Sequence, residues 1–173
     1  MKTAVLIFSV LIGAIVVSSC TISSTPVVEL KQFPIENLDG VVARSAVEFD
    51  NEVSSDGNGS VRIRADAPMS VHLFEVTDID IEEATLIYQA RVRSEDIRGQ
   101  VYLEMLCHFS GAGEFFSRDI QTPITGTTEW TTEETPFFLQ KGQKPDYIKL
   151  NLVIDGAGTV WIDDVRLIVG PLG

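Results

Sequence analysis

Val101-Tyr102-Leu103-Glu104-Met105-Leu106-Cys107-His108-Phe109 is apolar at every odd position and mixed at every even one. Side chains of a β-strand point alternately to the two faces of its sheet, so one face of this run enters a core and the other meets solvent or a ligand. The same period of two recurs in Val61-Arg62-Ile63-Arg64-Ala65, in Val71-His72-Leu73-Phe74-Glu75, and in Tyr147-Ile148-Lys149-Leu150-Asn151-Leu152-Val153-Ile154. Glycine- and asparagine-containing turns separate these runs. After residue 20 no stretch of useful length carries a helical period. The chain is therefore expected to be all-β, with about eight to ten short strands packed as a two-sheet antiparallel sandwich. Ser94 to Gly99 and Asp155-Gly156-Ala157-Gly158 read as turns within that series.

The chain has 173 residues and is 45% hydrophobic, which suits one domain with a real core. Lys and Arg total 13 against 25 Asp and Glu, a net charge of -12. No basic patch of useful size can be assembled from that balance, which argues against nucleic acid or an anionic lipid surface as partner. Two cysteines and two histidines exclude disulfide-rich scaffolds and most histidine-based metal or catalytic clusters.

The N-terminus is a targeting device. Lys2 is followed by an uncharged stretch over residues 3–19, and Val17-Ser18-Ser19 leads directly into Cys20. This resembles the lipobox of bacterial lipoproteins, an aliphatic residue and two small ones before a cysteine that is lipidated after cleavage. The resemblance implies a signal peptide over 1–19, a lipid on Cys20, and an exported, membrane-anchored chain. An uncleaved anchor and a plain secretory signal are the alternatives, and all three export the rest. Thr21 is not the aspartate that some double-membrane bacteria use for inner-membrane retention, so such an envelope would favour the outer membrane. Residues 20–40 read as a short tether, within which Val27-Val28-Glu29-Leu30 can already form a strand, and residues 41–170 as the domain. Lipid on Cys20 leaves Cys107 without an intramolecular partner, and Cys107 reads as a small buried hydrophobe.

The C-terminal half carries a further resemblance. Gly126-Thr127-Thr128-Glu129-Trp130-Thr131, Pro136-Phe137-Phe138, Ile148-Lys149-Leu150 and the closing Gly158-Thr159-Val160-Trp161-Ile162-Asp163-Asp164-Val165-Arg166-Leu167 are arranged as in galactose-binding-like jelly rolls, in particular the carbohydrate-binding modules of bacterial glycoside hydrolases. The resemblance implies framework roles for Trp130 and Trp161. It also implies a structural calcium ion, with Asp164 as the last-strand carboxylate and Glu48 or Asp50 as early partners. Calcium wants six to eight oxygens, which clustered carboxylates and loop carbonyls can supply. The bland alternative pairs Asp163 and Asp164 with Arg62 or Arg166, or has them cap a bulge.

A sugar site needs an aromatic ring for the apolar face of a pyranose and planar polar groups for its hydroxyls. Tyr102, Glu104 and His108 lie on the non-core parity of their run, and Gln89 with Arg91 and Lys149 with Asn151 share that outward alternation. Tyr147 is a further aromatic candidate beside a turn, whereas Tyr88 has core parity. Phe115-Phe116 and Phe137-Phe138 each put one ring outward, with Phe115 or Phe137 as candidates. Any solvated sheet face offers a similar list. His108 and Cys107 point to opposite faces and make no dyad, and no phosphate loop or zinc motif is present. The expected function is noncatalytic glycan binding at the cell envelope, with docking on an envelope protein as the rival and a hydrolase or hydrolase accessory third.

Overall fold

A computed structural model describes residues 27–172 of the chain. The signal stretch and Cys20 lie outside the described residues. Eight strands follow in order: β1 (Val28–Phe33), β2 (Val47–Asp50), β3 (Ser60–Ala65), β4 (Met69–Thr77), β5 (Ala84–Phe109), β6 (Gly113–Arg118), β7 (Ile124–Leu139) and β8 (Tyr147–Pro171). All pairings are antiparallel.

The architecture hangs on two long strands. β5 and β8 pair from Ala84 opposite Pro171 to His108 opposite Tyr147, and the joint ladder is folded over near its middle. Sheet I is built on the first half of β5 and the second half of β8. β7 pairs with β5 on one side, and on the other β3 and β1 lie end to end along β8, with β2 outside β3. Sheet II takes the other halves, in the order β4, β8, β5, β6.

The fold-over requires glycine where the two chains cross. A Cβ on Gly99 would run into the Asp155 carbonyl, and one on Gly156 into the Arg98 carbonyl. A register shift between Glu95 and Arg98 supplies the bulge that redirects β5. The two segments that read as turns in the sequence, Ser94 to Gly99 and Asp155 to Gly158, are therefore corners inside continuous strands. Turn residues mark them because the backbone must bend there, yet ladder pairing resumes on both sides. The Thr127-Thr128-Glu129-Trp130 and Pro136-Phe137-Phe138 runs likewise belong to one strand, β7, whose edge position tolerates Pro136. The sandwich also takes in β1, which the sequence reading gives to the tether.

One core lies between the sheets. Leu86, Val92, Val160 and Ile162 of sheet I meet Leu103, Met105, Leu150, Leu152 and Ile154 of sheet II, all essentially buried. Each such side chain contributes about 1.5–3 kcal/mol on leaving water. Cys107 is in this core, and burial pushes its thiol up to about 12. Tyr88 is there too, with a hydroxyl that has no hydrogen-bond partner.

Candidate functional site

Strand alternation now sorts every polar candidate. The outer face of sheet II carries three complete rows across its four strands and a fourth across three. Thr77, Tyr147, His108 and Glu114 are register partners in the first row, and Glu75, Lys149, Leu106 and Phe116 in the second. His72, Asn151, Glu104 and Arg118 form the third, and Ser70, Val153 and Tyr102 the fourth. Strand spacing and rise make the face about 14 by 20 Å.

Two neighbouring residues at its centre are unusual. Glu104 is 4% exposed and Asn151 5%. Asn151 Nδ2 donates to Glu104 Oε1 at 2.8 Å, and the Arg118 guanidinium pairs with Glu104 Oε2. Asn151 Oδ1, however, is buried without a partner. A buried amide oxygen with no donor costs about 1–3 kcal/mol, and this one is sealed beneath the face with no exposure of its own.

Aromatic and charged groups flank this pair. His108 and Tyr147 stack with centroids 4.6 Å apart and planes 3° off parallel. Asp146 fixes the His108 ring at 3.0 Å through Nδ1, and the Ser110 hydroxyl donates to the same carboxylate, holding it below the usual range. Lys149 pairs with Glu114, whose carboxylate also accepts the Tyr147 hydroxyl at 3.1 Å. That hydrogen bond from Lys149 lowers the Glu114 pKa, and the Lys149 ammonium is raised for the same reason. Phe116 is 60% exposed, with the Arg118 guanidinium 4.4 Å from its centroid. Both cations on this face are thus tied to carboxylates, which suits an uncharged, hydroxyl-rich ligand better than an anion.

Six of the eight ligand candidates from the sequence, Tyr102, Glu104, His108, Tyr147, Lys149 and Asn151, are brought together on this face. Gln89 and Arg91 are not. They project from the outer face of sheet I, because the corner in β5 puts residues before and after it in different layers. There Gln89 bonds Glu134, and Arg91 bonds the Trp130 carbonyl and Thr132. The phenylalanine assignment also changes. Phe116 is the ring on the outer face of sheet II, whereas Phe115 and Phe137 lie on the other side of their strands and approach Phe109; Phe137 packs against the core and Phe115 stays exposed at the sheet edge. Sequence reasoning missed Phe116, Arg118, Glu114 and His72. The period of β6 alone cannot say which member of the Phe115-Phe116 pair faces out, and only pairing with Leu106 decides it.

The carboxylates assigned to calcium do not converge. Asp50 Oδ1 accepts the backbone N–H groups of Glu52 and Val53, and Oδ2 accepts Trp161 Nε1 at 3.0 Å and Arg62 at 3.2 Å. Glu48 pairs with the same Arg62. Asp164 sits apart with Arg166 at 2.8 Å and Gln32 at 3.3 Å. Among the described residues no group of three or more His, Cys, Asp or Glu is placed to hold a metal ion. The donor set has been taken by guanidinium, indole and backbone N–H groups, and it does not fit the ion. Trp161 is 7% exposed beneath this network, with Arg93 over its ring at 5.7 Å.

No family model matches the chain, and no curated protein matches it. Solved structures do match in fold. The Family 16 Carbohydrate Binding Module-2 superposes with a TM-score of 0.57 at 16% identity, over 75% of this chain and 91% of that one. The CBM22-1 xylan-binding domain from Paenibacillus barcinonensis Xyn10C gives 0.60 at 13% identity, over 87% and 98%. The enzymatically active domain of bacteriophage CBA120 tailspike protein 4 gives 0.53 at 11%, over 76% of this chain and 20% of that one. The fold is an antiparallel jelly roll of the carbohydrate-binding-module kind. At such identities the likeness establishes architecture alone.

Proposed function

We propose that the outer face of sheet II is a noncatalytic glycan-binding face, carried at the cell envelope by a lipid on Cys20. The observation that carries this reading is an exposed Phe116 ring beside a partly exposed Arg118 guanidinium that is held in place by the buried Glu104. Arg118 can donate to a sugar hydroxyl, and Asn151 holds the other oxygen of Glu104 beneath it. Phe116 offers the apolar surface that a pyranose ring needs, and the stacked His108–Tyr147 pair closes the far end. The residues do not assemble a nucleophile with a base, and the only cysteine on these strands is buried with a raised pKa. Sorting to an outer membrane follows if the envelope has two membranes. Because one structural neighbour is described as xylan-binding, β-1,4-linked plant glycans are the natural first probes.

The test is calorimetry and glycan-array screening of the full chain in detergent. A glycan is expected to bind equally to the wild type and to Gln89→Ala, and about tenfold more weakly to Phe116→Ala. Binding that survives Phe116→Ala unchanged would overturn the placement of the site. A second reading, docking of an envelope protein, draws on the exposed rings of Phe115, Phe116 and Phe138. A folded chain that binds no glycan on the array would favour it.

A further inference from the structure

A sizeable groove lies elsewhere, at the folded end of the sandwich. It is a groove of about 620 Å³ between the end of β3, the β5 bulge, the start of β7 and the β8 corner. Buried Ala65 and Ile97 contribute to its floor, and Arg64 and Arg98 line it. The chain is strongly acidic, and Arg62, Arg93, Arg118, Lys144, Lys149 and Arg166 all have carboxylate partners. Neither Arg64 nor Arg98 has a carboxylate within ion-pair distance among the described residues, although Asp66 and Asp96 border the same groove. Asp96 is held in a left-handed conformation, φ 53°, and donates its backbone N–H to the Thr127 hydroxyl at 3.0 Å, which fixes the bulge that presents Arg98.

We propose that this groove is a second saccharide site, selective for a sugar that bears a carboxylate. A guanidinium receives a carboxylate through paired hydrogen bonds, and Arg64 and Arg98, which share one groove and have no direct ion pair, provide that recognition, although the Glu48 charge also acts on Arg64. The Thr127 and Thr159 hydroxyls and the two aspartates bordering the groove match the hydroxyls of the same ring, while Ala65 and Ile97 meet its C–H face. A polyanion is a poor fit, since the surrounding surface repels it. A single uronate residue is accommodated. Position supports access from outside. Ala65 pairs with Gly158 at the groove, and Val28 pairs with Val169 where the chain enters the domain. These points lie about 36 Å apart along β8, so a chain tethered through its N-terminus presents the groove away from the membrane. The proposal does not depend on the sheet II face.

Cellobiouronic acid and cellobiose differ only in a carboxylate against a hydroxymethyl group, and they are the probes. Titration of the full chain in detergent, followed by amide NMR and calorimetry, reads both affinity and location. The acid is expected to bind about tenfold or more tighter than cellobiose. Amide shifts should fall on residues 64–66, 96–98, 126–127 and 158–159. The preference should vanish in the double variant Arg64→Gln/Arg98→Gln, whose melting temperature stays at the wild-type value because both side chains are exposed. Equal binding of the two sugars, no binding of either, a preference that survives the double variant, or shifts confined to sheet II would each overturn the assignment.

Discussion

The two outer faces of the sandwich are made by the same two strands and have opposite characters. On sheet I, residues 51–59 fold over the face and are held there. Asp163, 2% exposed, accepts the Ser55 N–H at 2.9 Å, the Ser55 hydroxyl at 2.7 Å and the Asp164 N–H at 2.7 Å. Asp50 accepts four donors. On sheet II the rows run out to exposed Thr77, Glu75 and Phe116. A buried carboxylate that gathers several donors holds a structure together. An uncovered face with an exposed ring beside an ordered guanidinium is a place for something else to bind.

The largest expected effect separates the faces by stability. Asp163→Ala strands the half-buried Ser55 N–H and hydroxyl and the Asp164 N–H and should cost about 2 kcal/mol in chemical denaturation, whereas Phe116→Ala should stay within about 0.5 kcal/mol. A similar loss for both would break the distinction. Acid titration comes next. The Trp161 hydrogen bond holds the Asp50 carboxyl below its usual value, so the stability it gives is complete above the unfolded pKa and is lost as pH falls through the folded one. Asp50→Asn should flatten the acid limb of the melting-temperature profile below about pH 4, and an unchanged limb would move the acid sensitivity elsewhere. On the open face, Phe116→Ala should weaken glycan binding about tenfold, about 1.4 kcal/mol, while Gln89→Ala leaves calorimetric affinity unchanged. The smallest effect concerns metal. Because Arg62 and Trp161 occupy the carboxylates, adding calcium or a chelator should leave the melting temperature within about 1 °C, the shift of a negligible free-energy change. A rise of several degrees with calcium would show an ion site that the carboxylate partners conceal.

The alternation in β5 and β8 was enough to give the all-β class, the core parity of Leu103, Met105 and Cys107, and six of the residues on the sheet II face. What it could not give was the corner. Ser94 to Gly99 looks the same whether a strand ends there or bends, since both need glycine and polar residues, and the close approach of Gly99 to Gly156 is a tertiary fact. Read as a turn between two neighbouring strands, it lets Gln89 and Glu104 share one face; as a corner it puts them on opposite sides of the molecule. The carboxylates assigned to calcium turn out not to converge, for a related reason. Sequence shows carboxylates but not the arginine, indole and backbone N–H groups that reach them from distant strands.

The central claim, that sheet II presents the glycan-binding face, is tested most directly by amide and side-chain NMR mapping of the full chain with whichever neutral glycan the array identifies. The account predicts shifts at Phe116, Arg118, His108 and Tyr147, with the Arg118 side-chain N–H groups moving most as they meet sugar hydroxyls. Shifts confined to residues 51–59 and the sheet I face, with Phe116 and Arg118 unmoved, would contradict it.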